Sequence, residues 1–301
     1  MAQGRLPGPD RHELTGLVMD NERPSGKAVR MDNSRSGGFT QASIPQAYER
    51  FMLRQIFEPW ARELTAHAML QAGWSVLDVA SGLGPVAREA AAAVGPSGRV
   101  VASDISEAML ALAGGWPHLD GQAPIEFLPG PATAIAAPND SFDAVLCQHG
   151  LQFFADRALA VSEMHRVMLP GGVLVLSTWA AERPLGLFGA MIEMLQELGV
   201  AEPFHRAFDP GSYRMATGEL TDMLKTAGFR DVNVHTSELK VRWDTAETAA
   251  STLFGTPFGP VVAALPGDTQ DQARNRLITK LGESAGGVTV LTASNIARAF
   301  K

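Results

Sequence analysis

Val76-Leu77-Asp78-Val79-Ala80-Ser81-Gly82-Leu83-Gly84-Pro85 runs from an apolar strand through a glycine turn into the head of a helix. The glycines let the backbone approach a ligand closely, because a side chain there would fill the space. Taken alone, Gly-x-Gly is equally a plain tight turn. Two acidic neighbours sharpen it. Asp78 lies four residues before Gly82, where a carboxylate can help orient a cationic group. Asp104 closes the next strand, 20 residues past Gly84, where a carboxylate can accept hydrogen bonds from both hydroxyls of a ribose. Together they suit an uncharged ribose nucleoside with a cationic, amino-acid-like end. A nicotinamide dinucleotide fits less well, since Ala87 stands where the third glycine of its fingerprint belongs. Each aspartate also has a plainer reading. Asp78 can be a strand-end residue satisfied by backbone N–H groups, and Asp104 a turn residue ahead of a helix.

Working outward, strands and helices alternate. Strands are expected at Ser75–Val79, Arg99–Ser103, Ile125–Leu128, Phe142–Cys147 and Val173–Thr178. Between them lie an Ala-rich helix over Pro85–Val94, a helix capped by Ser106 and an amphipathic helix over Asp156–Met168. Pro170-Gly171-Gly172 reads as a turn into the fifth strand. Further on come a helix over Glu219–Ala227 closed by Gly228, a long strand Val232–Trp243, and a last strand Val288–Ser294. Upstream, Tyr48, Met52, Ile56, Trp60, Leu64 and Ala68 recur every four residues, and Pro59 divides them into two short helices, about 45–57 and 59–70. This is an α/β chain with a mainly parallel sheet and helices on both faces, in which ligands bind beyond the carboxyl ends of the strands. Residues 1–40, rich in Gly, Pro, Asp, Asn, Arg and Ser, read as a flexible tail, and 41–301 as one domain.

Bulk chemistry narrows the partners. The chain has 301 residues, 46% of them hydrophobic, and a formal charge of −7 with no Lys/Arg cluster, which argues against nucleic acid. No stretch approaches the ~20 apolar residues of a membrane span. Cys147 is the only cysteine, which excludes an internal disulfide and fits a cytoplasmic setting. The histidines show no metal-ligand spacing, so no metal is expected.

Four stretches in order carry a resemblance: VLDVASGLG (76–84), VVASDISEAML (100–110), SFDAVLCQHGLQFF (141–154) and EMHRVMLPGGVLVLSTW (163–179). With these the chain resembles the class I S-adenosylmethionine-dependent methyltransferases, in the broad group that includes the ubiquinone/menaquinone-biosynthesis C-methyltransferases. The resemblance implies a Rossmann-like sheet whose last strand is antiparallel and inserted beside the fifth. It implies S-adenosyl-L-methionine as cofactor and O- or C-methylation of a small-molecule acceptor. Asp78 and the loop Ala80, Ser81, Gly82 and Gly84 would hold the methionine end, with the backbone at Cys147 and Gln148 facing its amino group. Asp104 would bind the ribose, and Ile105 and Met109 would flank the adenine. The family usually has an acidic residue where Pro131 stands here, so adenine would be read by other groups, such as the N–H of Ala132. Segments 41–70, 181–216 and 245–283 would cover the substrate, with Tyr48 closing over the cofactor. His149 follows the fourth strand, where a histidine can take a proton from a hydroxyl acceptor, which would set a rate limb near pH 6.5. A structural role for it stays open. The rival readings are a cofactor-binding protein without catalysis and a nicotinamide-dependent oxidoreductase.

Overall fold

A computed structural model describes residues 44–184, 186–199, 213–256, 259–282 and 287–301. The tail over 1–40 and part of the 181–216 and 245–283 segments lie outside the described residues.

The five expected strands form, as β1 (Ser75–Val79), β2 (Arg99–Asp104), β3 (Ile125–Pro129), β4 (Phe142–Gln148) and β5 (Met168–Ala180). They are followed by a two-residue β6 (Arg214–Met215), β7 (Arg230–Trp243) and β8 (Val288–Phe300). The order across the sheet is β3-β2-β1-β4-β5-β8-β7, with β6 beside the end of β5. Pairs from β3 to β5 are parallel, and β8 runs antiparallel to both β5 and β7. Thus the last strand is inserted beside the fifth.

Strand residues alternate between two cores, which is how both faces come to be covered. Val76, Val100, Ala102, Ala144, Leu146, Val173 and Val175 join one, packed with Trp60 and Leu64 of the N-terminal helices and with the Ala-rich helix Pro85–Val94. Leu77, Val79, Val101, Val145, Cys147, Leu174 and Leu176 join the other, against Val161 and Met164 of helix Arg157–Val167 and Leu220 and Leu224 of helix Thr217–Thr226. Strands apolar on both sides are what a doubly covered parallel sheet demands.

The larger departures from the expected boundaries have a structural cause. Pro59 does not divide the N-terminal helices. Ile44–Tyr48 is α-helical, Glu49–Phe57 is π-helical and Glu58–Ala68 is α-helical again, with helical backbone at both junctions. The Glu58 N–H donates to the Leu53 carbonyl, five residues back. A proline ring clashes with the carbonyl four residues back in an α-helix, and the wider turn relieves that contact while Pro59 sits in the first turn of the next segment. β5 begins before the Pro-Gly-Gly rather than after it: Met168 pairs with Phe142, and an irregularity then carries the pairing to Ala144–Val173. β8 runs to Phe300, six residues beyond the expected end, because β5 and β7 flank it along that length.

Candidate functional site

β1 delivers the chain at Val79 into a turn in which every second residue is left-handed: Ala80 has φ 57°, Gly82 54° and Gly84 72°. Alanine tolerates that region poorly, and strain of this kind concentrates at functional sites. The turn is tied to the end of β2. Ser81 N–H donates to the Ser103 carbonyl (3.0 Å) and Gly84 N–H to the Ser81 carbonyl (2.8 Å). Gly82 N–H donates to one oxygen of Asp104, and Ser106 N–H to the other, both at 2.8 Å. Asp104 thereby holds the turn in place while lining the space in front of it. Burial pushes its carboxyl up, against backbone N–H groups that pull it down.

A cavity of about 290 Å³ opens beyond the carboxyl ends of β1, β2 and β4. Of the residues expected at a ligand, Tyr48, Ala80, Gly82, Asp104, Ile105, Met109, Ala132, Gln148 and His149 line it. Asp78, Ser81, Gly84 and Cys147 do not. Asp78 lies beneath the turn, its Oδ2 accepting from the Ala87 N–H (3.0 Å) and its Oδ1 buried without a partner. Burial raises its carboxyl well above the usual range. Cys147 is buried, and its thiol is pushed up to about 12, chiefly by desolvation, so it is an inert apolar residue of the core. A Cβ added at Gly82 would meet no atom within 4 Å. Glycine therefore leaves open space on the floor of the cavity, as a cradle for a ligand requires.

The other half of the cavity is aromatic. Phe57, Phe153, Phe154, Trp179, Phe188 and Tyr213 line it, with Met52, Ile192 and Thr256. Among the described residues Asp104 is the only charged side chain in the lining. Sequence reasoning did not single out Trp179, Phe188, Tyr213 or Thr256. Trp179 ends the stretch quoted at 163–179 and the others fall in the expected cover segments, but all lie far along the chain from the glycine turn and no spacing ties them to it. Gln148 reaches back to the N-terminal helices, donating from Nε2 to the Phe57 carbonyl (3.0 Å). Tyr48 stacks on Phe57, and burial ahead of the charges of Asp104 and Asp78 holds its phenol neutral.

His149 also adopts a left-handed backbone, φ 50°. Its ring stacks on Trp179 (3.9 Å, 12°) and meets the edges of Trp60 and Phe57. Nε2 pairs with the Ser294 hydroxyl at 2.7 Å, and Nδ1 is sealed without a partner. Desolvation lowers the imidazole to about 3. With the imidazole that low the ring is neutral at physiological pH and would set no rate limb near 6.5. The shift has a consequence for stability instead. In the unfolded chain the imidazole takes a proton below about 6.5, whereas in the native state it does so only near 3. Its contribution is whole above 6.5 and declines as pH falls towards 3, by up to about 1.4 kcal/mol per pH unit. Urea titrations between pH 7 and 4 should show that slope in the native protein and a shallower one in His149→Phe. Equal slopes would refute the buried neutral ring.

Among the described residues no group of three or more His, Cys, Asp or Glu gathers as a metal site, and no helix is long and apolar enough to cross a membrane.

A model of the ubiE/COQ5 methyltransferase family matches residues 43–185. The demethylmenaquinone methyltransferase of Deinococcus radiodurans is 34% identical over 181 residues, 59% of this chain and 73% of that one. The ubiquinone/menaquinone biosynthesis C-methyltransferase UbiE of Hahella chejuensis is 38% identical over 118 residues, 39% of this chain and 47% of that one. The match thus spans about half the length of the second relative. Among solved structures, phosphoethanolamine N-methyltransferase 2 of Haemonchus contortus in complex with S-adenosyl-L-methionine superposes with a TM-score of 0.56 at 18% identity, covering 90% of this chain and 58% of that one. At that identity the likeness speaks for the fold alone.

Proposed function

The chain belongs to the ubiE/COQ5 family of S-adenosylmethionine-dependent methyltransferases, and on that footing we propose that it methylates a neutral aromatic small molecule at carbon or oxygen. One observation carries this reading: the glycine turn with Asp104 and the aromatic residues around Trp179 line a single cavity. The first half suits the cofactor. Asp104 has lone pairs left for ribose hydroxyls after accepting from Gly82 and Ser106. Ile105 and Met109 offer apolar surface to adenine, and Ala80 and Gly82 backbone to the methionine end. Asp78, Ser81 and Gly84 act from beneath, by shaping the turn.

The second half suits the acceptor. Aromatic walls without a charged side chain disfavour phosphates and carboxylates, and favour a flat uncharged ring. The names of the relatives point to quinone precursors, so C-methylation of a hydroxylated ring is the first case to test.

S-adenosylmethionine supplies an electrophilic methyl group on a sulfonium. The chain's part is alignment and exclusion of water, which for an in-line displacement supply much of the rate. Tyr48, Met52 and Phe57 from the N-terminal run, Phe188 and Ile192 from helix Leu187–Glu197, and Gly255 and Thr256 from the later segment close the cavity over the sheet. The cover inferred from the sequence is assigned to these three stretches. His149 forms part of the wall through its ring, and no proton transfer is assigned to it, because Nε2 is engaged and Nδ1 sealed. A cytoplasmic setting belongs to the same proposal.

The test combines calorimetry with S-adenosylhomocysteine and turnover with S-adenosylmethionine on a panel of hydroquinones, phenols and amines, read by mass spectrometry. Binding together with a 14 Da gain on a hydroquinone or phenol is expected. Binding with no turnover on any ring compound would leave a cofactor-binding protein, and gain confined to amines would overturn the acceptor assignment.

A further inference from the structure

The geometry points to the Thr133 hydroxyl as the acceptor for the 6-amino group of the cofactor's purine, standing in for a carboxylate at position 131. The inference rests on the cofactor reading above and adds a specificity residue to it. Gly130, Pro131, Ala132 and Thr133 all line the cavity. Pro131 has no side-chain acceptor and no N–H. The turn is fixed at both ends: Gly130 N–H donates to the Asp104 carbonyl, and Ala134 N–H to the Pro131 carbonyl, each at 3.0 Å. Ala132 and Thr133 are therefore its two central residues, next to the aspartate that faces the ribose. Among the described residues neither the Ala132 N–H nor the Thr133 hydroxyl has a partner within the protein. Both belong to the cavity wall and are available to a ligand.

The direction of the purine follows from the division of the cavity. The acceptor occupies the aromatic half, so the base extends the other way from Asp104, past Ile105 and Met109 to this turn. Adenine presents there an amino donor beside a ring-nitrogen acceptor. A hydroxyl that accepts and an N–H that donates match that edge in order.

The experiment compares binding of S-adenosylhomocysteine with that of its analogue lacking the 6-amino group, by calorimetry. The wild-type chain should prefer the amino compound by about three- to tenfold, the range of one neutral hydrogen bond. Thr133→Val, nearly isosteric, should bind both equally, with the loss confined to the amino compound. Thr133→Ser should keep the preference, and adding Pro131→Asp to Thr133→Val should restore it. A preference unchanged in Thr133→Val overturns the assignment alone. Failure of the wild-type chain to bind either compound overturns the cofactor reading and this assignment with it.

Discussion

Replacing Trp60 by alanine lowers the free energy of unfolding by about 3–5 kcal/mol, the range for deleting a buried tryptophan side chain. Trp60 is 1% exposed and sits where three parts of the molecule meet. Its Nε1 donates to the Thr292 hydroxyl on β8 (3.1 Å), and its ring meets His149 after β4 and Trp179 on β5 edge-on, at 5.7 and 6.1 Å. The Thr292 hydroxyl itself donates to the Leu239 carbonyl, so the loss is mainly of packing rather than of an orphaned polar group. For a domain of this size the change corresponds to a fall of about 10 °C in Tm. Trp60→Phe, which keeps an aromatic ring, should lose less than half as much. Urea denaturation followed by intrinsic fluorescence and circular dichroism measures both. A loss below about 1 kcal/mol in the alanine variant would mean that the N-terminal helices are not part of the cooperative core.

Asp104→Ala weakens binding of S-adenosylhomocysteine by about 1.5–3 kcal/mol, or roughly 10- to 150-fold in Kd. Two effects act together. The ligand loses an acceptor for its ribose hydroxyls, and the Gly82 and Ser106 N–H groups lose theirs, which frees the glycine turn from β2. Asp104→Asn separates them. Its one amide oxygen can still accept from one of these N–H groups, so the turn is partly held while the charge is gone. Its affinity should fall between the other two. Calorimetry on a protein shown to be folded decides the matter, and an Asp104→Ala variant with wild-type affinity would remove Asp104 from the site.

The order of strands and the glycine turn were legible because they are local. An apolar run, a turn residue and a helix head follow one another within ten residues at 76–85. The end of β2 was legible for the same reason, and Asp104 does line the cavity. Asp78 was harder. Its spacing from Gly82 is right for a ligand contact, but side chains alternate along a strand, and the one before Val79 turns under the loop to meet Ala87 instead. For His149 the position after β4 was readable and the chemistry was not. Burial between Trp60 and Trp179, supplied by residues 89 positions upstream and 30 downstream, decides its protonation. The uninterrupted helical run through Pro59 likewise escaped a rule that treats proline as a breaker, because a π segment is set by hydrogen-bond register and leaves no mark on composition.

β8, the last strand in the sequence, lies between β5 and β7 rather than at an edge. During synthesis β1 to β5 can assemble from neighbouring βαβ units, but the outer edge of β5 exposes unpaired N–H and C=O groups until residues 288–300 emerge. Among the described residues β7 pairs with β8 alone, so it too waits for that strand. The contact that completes the sheet spans more than a hundred residues between Val173 and Phe300. Closing such a loop is slow compared with local pairing, and an open, apolar strand edge is a template for association with other chains. The nascent chain is thus open to association through that edge until β8 is delivered.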